Sequence, residues 1–184
     1  NGKTAIVFGS SWPKDEAMFA DFVNTALDAK FIIAPHTTDA GHIAEIKNSL
    51  TKKAVLFSEK EGKDLAEYDV FIVDTVGILT KIYSYADAAY VGGGFGTSGL
   101  HNILEPAAFG LPVVIGPNHQ KFPEAVALVN MGGCIAVSNK EEMNDALSSL
   151  VYNDDYRWEK GHIAGTFVNM NRGAVTIILN NIEA

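Results

Sequence analysis

Short apolar runs alternate along the chain with stretches in which apolar residues recur at helical spacing. Short, continuously apolar runs are typical of parallel strands that are covered on both faces. Their alternation with helical patterns implies right-handed βαβ units. The pattern therefore predicts an α/β domain with one doubly wound, Rossmann-like parallel sheet over residues 1–184. The predicted strands are residues 4–9, 31–35, 54–58, 69–74, 88–93, 111–117 and 133–137.

The amphipathic stretches between these runs predict the helices. They cover residues 14–27, 42–50, 78–85, 104–109, 122–130 and 141–152. The carboxyl-terminal residues 155–184 also show a helical pattern, with breaks expected near Gly161, Gly165 and Gly173. The polar residues 59–68 predict a solvated connection.

Composition and charge narrow the class of protein. Of the 184 residues, 47% are apolar, which is enough for the core of one compact domain. The net charge is −8, and because phosphate binding usually requires a basic surface, we expect no nucleic-acid partner. The single cysteine, Cys134, lies in an apolar run, which indicates a buried strand residue and excludes a disulfide framework.

The ends of the chain add two expectations. No apolar run approaches the roughly 18 residues that a membrane span needs, and no signal peptide is visible, so we expect a soluble domain. The sequence starts at Asn1 and enters a predicted strand almost at once, so we expect an excised domain of a longer protein.

The carboxyl ends of the predicted strands are where ligands bind in doubly wound sheets. Ser10 and Ser11 follow the first strand, Pro35 and His36 end or follow the second, and a D-T-V-G segment at 74–77 follows another. The serines fit either helix caps or contacts to an anion. Asp74 fits a helix cap, whereas Gly77 would let a nucleotide base or phosphate approach the backbone, and His36 fits either a structural or a catalytic role.

The glycine-rich segment 92–105 is the most informative of these strand ends. Gly94, Gly96 and Gly99 match G-x-G-x-x-G, but they follow several strands, and the next strand ends without an acid, which argues against a dinucleotide site. Two interpretations remain: close backbone packing, or backbone N–H groups that face an anion at a helix amino terminus.

The helix after the glycines carries the candidate polar side chains. Pro106 predicts a helix that begins near Ile103, and Gly110 would end it. Glu105 would lie in the first turn, where its carboxylate either complements the helix dipole or accepts hydrogen bonds from a sugar diol. His101 and Asn102 would either cap the helix or contact a ligand. The histidines show no metal-ligand spacing, and no nucleophile elbow or Ser-His-Asp group is recognisable.

Residues 73–125 resemble the nucleotide-sugar-binding half of 3-deoxy-D-manno-octulosonic acid (Kdo) transferases. The shared pattern is D-T-x-G-x-L at 74–79, A-x-x-A-x-V-G-G at 86–93, H-N-x-L-E-P at 101–106, G-x-P-V at 110–113, G-P at 116–117 and F-x-E at 122–124. The chain departs from that pattern where the family often has an arginine before the histidine of the second strand end, and at Ile78, Gly94 and Leu100.

The resemblance implies half of a GT-B fold with a site for the donor CMP-Kdo. The implied donor-binding residues are Pro35, His36, Val76, Gly77, Ile78, Asn102, Ile103, Leu104 and Glu105. Ser10, Ser11, Gly99 and His101 are possible anion contacts.

The resemblance also implies what lies outside this chain. The acceptor site and the catalytic glutamate of such enzymes belong to an amino-terminal domain, so we expect no catalytic residue, no cofactor and no metal here. The parent enzyme would transfer Kdo to a lipid A precursor at the cytoplasmic face of the inner membrane, anchored through upstream sequence. The alternatives are the donor half of a UDP-sugar transferase or UDP-GlcNAc 2-epimerase, and a non-catalytic Rossmann-like interaction module.

Overall fold

The computed structural model describes residues 2–173, which form a three-layer α/β domain. Its seven-stranded, all-parallel sheet has the order β3-β4-β2-β1-β5-β6-β7, which confirms the predicted doubly wound fold. The strands are β1 (Thr4–Ser11), β2 (Ala29–Pro35), β3 (Ala54–Leu56), β4 (Val70–Ile72), β5 (Ala88–Val91), β6 (Val113–Ile115) and β7 (Cys134–Ala136). The helices are α1 (Pro13–Thr25), α2 (Ala40–Ser49), α3 (Leu79–Tyr83), α4 (Leu104–Ala108), α5 (Pro123–Met131), α6 (Lys140–Tyr152) and α7 (Asp154–Met170).

Apolar side chains cover both faces of the sheet, as the continuous apolar strands require. On one face α1, α2 and α6 pack against the strands around Phe8 and Phe31. On the other face α4, α5 and α7 pack around Val113 and Ile115, with α3 beside them against Val7. Cys134 is buried in β7, as predicted, and burial raises the pKa of its thiol.

The predicted helix breaks at Gly161 and Gly165 are wrong, because α7 runs through both residues without interruption. The two glycines let α7 cross closely over the loop after α4. A Cβ at Gly161 would overlap the carbonyl oxygen of Gly110, and one at Gly165 would lie 3.2 Å from the Gly110 Cα. Close packing therefore explains these glycines. The helix ends at Met170, and the helical pattern at 174–184 lies outside the described residues.

The end of β1 also differs from the predicted one. β1 continues through Ser10 and Ser11, with an irregularity in its pairing to β2 between Gly9 and Ser11. Ser10 has φ +53°, an uncommon left-handed conformation for a residue with a side chain. The connection at 59–68 is largely exposed, as predicted, and is bordered by short 3-10 turns at Phe57–Glu59 and Leu65–Glu67.

Candidate functional site

The topological switch point of the sheet lies between β1 and β5. The chain places β2 on one side of β1 and later adds β5 on the other side. In doubly wound sheets, ligands bind in the crevice outside the strand ends at such a point. The strand ends at this point lead into Trp12, His36 and the glycine segment that starts at Gly92.

Trp12, His36 and His101 form an aromatic group at this edge. The Trp12 and His36 rings stack with their centroids 4.3 Å apart, and the His36 and His101 centroids are 4.7 Å apart. The indole Nε1–H of Trp12 donates a hydrogen bond of 3.1 Å to Nε2 of His101. Burial and the neighbouring His36 lower the pKa of His101, although Asp15 opposes the shift. The structure thus brings together the two histidines that the sequence analysis selected separately.

Trp12 itself was missed by the sequence analysis. It comes directly after the first strand, at the edge where ligands bind, and this position was the available signal. A single aromatic residue without a partner close in sequence gave no reason to select it.

Asp15, also missed, fixes the start of the glycine segment. Its carboxylate is fully buried and accepts hydrogen bonds from the hydroxyl of Tyr90 at 2.6 Å and from the backbone N–H groups of Gly93 and Trp12, each at 2.9 Å. Burial, and then Asp15, raise the pKa of Tyr90, so the phenol keeps the proton that it donates. An acid in the first turn of a helix is common because it complements the dipole, so the sequence alone did not mark this residue.

The first glycines of the segment are explained by close packing of the backbone. A Cβ at Gly92 would overlap the carbonyl oxygen of Ser10, and one at Gly94 would lie 2.7 Å from the Cα of Gly116. Gly93 has φ +94°, a conformation that favours glycine. For these residues the packing interpretation accounts for the missing side chains without a ligand.

The later glycines border open space. No main-chain atom lies within 3.7 Å of a Cβ built at Gly96, and Gly99 has φ +90° with the Phe122 ring as its nearest neighbour. Together with Lys121, these residues line a cleft of about 430 Å³. The anion contact predicted for Gly99 therefore has room for a ligand, and it stays a prediction.

Glu105 and Asn102 meet at the start of α4. The Asn102 side-chain amide donates to one carboxylate oxygen of Glu105 at 3.2 Å, and Thr80 Oγ1 donates to the other at 2.9 Å. The Asn102 carbonyl also accepts the backbone N–H of Leu104 at 3.0 Å, so Asn102 both supports the helix start and orients Glu105. An ionised carboxylate has about four acceptor sites, so each Glu105 oxygen can still accept a hydrogen bond from a ligand.

The helix start itself agrees with the prediction, since α4 begins at Leu104 and Ile103 precedes it. Gly110 follows with φ +73°, close after the helix end. Because α4 has only five residues, few peptide dipoles add up, and its contribution to anion binding is small. The polar side chains carry more of the candidate site than the helix dipole does.

The loop after β4 places Val76, Gly77 and Ile78 just before α3, the helix that carries Thr80. Val76 is 76% exposed, and Gly77 has φ +85° with no atom near the position of a Cβ. Asp74 does not cap α3. It accepts hydrogen bonds from the backbone and hydroxyl of Ser58, and although burial opposes its charge, these bonds hold its pKa below the usual value.

The serines of the first strand do not follow the strand, as the sequence analysis expected. Ser11 is fully buried inside β1, and its hydroxyl donates to Glu16 at 2.9 Å. Because this proton is already used and the residue is inaccessible, the predicted anion contact from Ser11 does not fit the structure. Neither serine caps α1, since Trp12 precedes the helix and its N–H is bound by Asp15. Ser10 is half-buried at the strand irregularity, and its role stays a prediction.

A second, internal cluster lies between α1 and α2. His42 Nε2 lies 2.8 Å from a carboxylate oxygen of Glu16, an ion pair when the imidazole is protonated, and the other ring nitrogen contacts the Thr37 hydroxyl at 2.9 Å. Burial disfavours the charged imidazole, but the hydrogen bond and charge of Glu16 raise the pKa of His42 above its ordinary value. The sequence analysis assigned His42 no role.

A larger cleft of about 600 Å³ lies at the other edge of the sheet. Asp87, Leu111 and Pro112, which precede β5 and β6, line it together with Arg157 and Trp158 from α7. It is therefore far from the switch point. Within residues 2–173 no group of His, Cys, Asp and Glu side chains has the arrangement of a metal site. Over the same residues, every helix is too short or too polar to cross a membrane.

The seven parallel strands and the crevice at the switch point define a Rossmann-like domain of the kind found in GT-B glycosyltransferases. The C-terminal CMP-Kdo binding domain of WaaA from Acinetobacter baumannii has this fold, with a TM-score of 0.79 and 20% identity over 94% of this chain and 91% of that domain. No family model matches the chain.

Curated relatives identify the family. The chain is 33% identical over 160 residues to the 3-deoxy-D-manno-octulosonic acid transferase of Chlamydia trachomatis serovar D. The aligned residues cover 83% of this chain and 36% of that protein. It is 28% identical over 187 residues to the transferase of the same name from Haemophilus influenzae, covering 100% of this chain and 42% of that protein. The chain belongs to the Kdo transferase family, and it spans less than half the length of these relatives.

Proposed function

We propose that this chain is the donor-binding domain of a Kdo transferase and that its ligand is CMP-Kdo. The observation that carries the proposal is the Glu105 carboxylate, which Asn102 and Thr80 orient at the switch point, within the segment that carries the family motif. The similarity to Kdo transferases over most of the chain supports the choice of this donor over a UDP-sugar.

In the proposed complex, Glu105 accepts hydrogen bonds from the two hydroxyls of the ribose. A fixed carboxylate suits such a diol because each oxygen accepts one hydroxyl proton. The exposed loop at 76–78 borders the nucleotide, and Pro35 and His36 lie on the other side of the switch point. Ile103 and Leu104 contribute backbone at the start of α4.

The transfer reaction in this proposal needs the remainder of the enzyme. The acceptor, a lipid A precursor, and the catalytic base would belong to an amino-terminal domain, so this chain alone binds the donor and does not transfer Kdo. Hydrogen-bond donors of the protein would stabilise the departing CMP phosphate, with no metal required. The whole enzyme would act at the cytoplasmic face of the inner membrane, held there by upstream sequence.

Titration with CMP, UMP and ADP, followed by amide NMR shifts, tests the proposal. We expect CMP-selective shifts at Gly77 and around Asn102 and Glu105. The substitution Glu105→Ala should weaken CMP binding about tenfold or more, because hydrogen bonds to a charged group are lost. Glu141→Ala, at an exposed carboxylate on α6, is the matched control and should bind CMP normally.

Other outcomes would redirect the assignment. A preference for UMP would favour a UDP-sugar transferase or an epimerase. The absence of any response to the three nucleotides would favour an interaction module. Equal loss of CMP binding in both glutamate variants would show that net charge, rather than the geometry of Glu105, controls the affinity.

A further inference from the structure

The hydrogen bond between Trp12 and His101 determines where the imidazole carries its proton. An indole N–H can only donate, so the Nε2 atom of His101, which accepts it at 3.1 Å, must hold a lone pair. A histidine with one bare nitrogen is neutral, and its single ring proton is then on Nδ1. This hydrogen bond therefore implies a neutral imidazole that carries its proton on Nδ1.

The surroundings of Trp12 hold the donor in place. Its backbone N–H is bound by the buried Asp15 at 2.9 Å, and its ring stacks on His36 at a centroid distance of 4.3 Å. The titratable groups that face His101 are His36 at the end of β2 and Asp15 on α1, and they act in opposite directions. Burial adds to the effect of His36, and together they favour the neutral imidazole.

The proton-bearing nitrogen has no hydrogen-bond partner within residues 2–173. Nδ1 of His101 makes no hydrogen bond there, and among those residues it is not one of the buried polar side-chain atoms that lack a partner. The residue is half-buried at the switch point, and Asn102, which orients Glu105, is its neighbour in the chain. A fixed N–H on a half-buried side chain at this place suits an acceptor oxygen of a ligand.

We propose that Trp12 is a positioning residue that holds His101 as the neutral tautomer protonated at Nδ1, and that this N–H donates to a phosphate oxygen of the nucleotide-sugar. The ligand half of this inference rests on the proposed function, whereas the tautomer half rests on the structure alone. A neutral donor of this kind keeps its proton through the physiological pH range, so its contribution to binding does not depend on charging the imidazole.

Long-range proton–nitrogen NMR correlation on the 184-residue chain reads the tautomer directly. We expect protonated Nδ1 and bare Nε2 in the unaltered chain at pH 7. The substitution Trp12→Phe keeps a ring against His36 and removes the N–H donor, so it should produce a mixture of tautomers. It should also weaken CMP binding about three- to tenfold, the size expected for one neutral hydrogen bond. Trp158→Phe, at an exposed tryptophan that stacks on His162, is the matched control and should change neither the tautomer of His101 nor the affinity for CMP.

Each half of the inference can fail separately. If His101 in the unaltered chain were charged, or protonated at Nε2, the proposed neutral tautomer would be wrong. An unchanged tautomer in Trp12→Phe would overturn the role of Trp12. A tautomer that changes without any loss of CMP affinity would overturn the role of the Nδ1–H in binding. If the unaltered chain binds no CMP, the proposed function and the proposed ligand contact of His101 both fail. The NMR measurement of the tautomer still tests the role of Trp12.

Discussion

Two consecutive carboxylates in the first turn of α1 serve two different regions of the molecule. Asp15 faces one region, which we call the turn side and which consists of Trp12, Tyr90, Gly93 and His101. There it accepts hydrogen bonds from two backbone N–H groups and from a phenol hydroxyl. Glu16 faces the α2 side, formed by Ser11, Thr37 and His42, where its main partner is an ionisable imidazole. Adjacent residues diverge in this way because each helical step turns the side chain by about 100°.

The comparison shows that the direction of each histidine's pKa shift depends on whether a neighbouring carboxylate offsets the effect of burial. His42 is the more buried of the two histidines, yet its pKa is raised because Glu16 lies 2.8 Å away. His101 is only half-buried, yet burial and His36 lower its pKa, and its hydrogen bond comes from a neutral donor. The α2 side thus favours the charged imidazole, and the turn side favours the neutral one.

The largest expected effect comes from breaking the turn side at Asp15. Asp15→Ala leaves the buried Tyr90 hydroxyl and Gly93 N–H without their acceptor, so we expect a loss of about 3 kcal/mol in the free energy of unfolding. Urea unfolding measures this change. Asp28→Asn, at an exposed carboxylate, should cost less than about 0.5 kcal/mol. Similar losses in the two variants would show that Asp15 does not support the glycine segment.

A smaller loss is expected on the α2 side. His42→Ala removes the partner of a mostly buried carboxylate, but Glu16 keeps the hydrogen bond from Ser11, so we expect a loss of about 2 kcal/mol. His42→Gln, which can still donate a hydrogen bond, should lose less in the same urea experiment. If glutamine were as destabilising as alanine, shape rather than polarity would explain the role of His42.

The two histidines should give the free energy of unfolding opposite dependences on pH. The raised pKa of His42 contributes stability that is fully present below its unfolded value of about 6.5 and is lost as pH rises through the folded pKa. The lowered pKa of His101 means that the unfolded chain binds more protons, so stability falls as pH drops from about 6.5 toward the folded pKa.

Single substitutions separate these two contributions in urea titrations from pH 5 to pH 8. Glu16→Gln should flatten the pH dependence of the unfolding free energy above the histidine pKa of the unfolded chain. His101→Gln should flatten it below that pKa. His162→Gln, at an exposed histidine on α7, is the control for removing an imidazole. A curve that keeps its shape in both variants would contradict the assignment of charge to the two regions.

The smallest effect is expected at Glu105, a third and more exposed carboxylate at the same edge. Thr80→Val removes one donor to Glu105 and keeps the shape of the side chain, so we expect a change in unfolding free energy below about 0.5 kcal/mol. Binding of CMP should weaken by about threefold, because only the hydrogen bond from Asn102 then orients the Glu105 carboxylate. A large loss of stability would show that the contact holds α3 to α4 rather than orienting a ligand-binding group.

The local parts of the site followed from the sequence. Pro106 and Gly110 placed the helix start near Ile103, and the structure begins α4 at Leu104. These signals succeed because proline and glycine restrict or free the backbone at their own positions. The same local reasoning was wrong at Gly161, where the helix continues because the missing side chain makes room for Gly110 from a distant loop.

The sequence by itself determined the order of strands and helices, the doubly wound sheet and the family, because apolar periodicity and motif spacing are properties of neighbouring residues. Only the tertiary structure decided which strand ends meet. It placed Trp12 against His36 and His101, Asp15 against Gly93, and Glu16 against His42, since contacts between residues far apart in the chain depend on the strand order and on how closely the backbones pack. The directions of the pKa shifts of His42 and His101 follow from those contacts, so the sequence pattern could not give them.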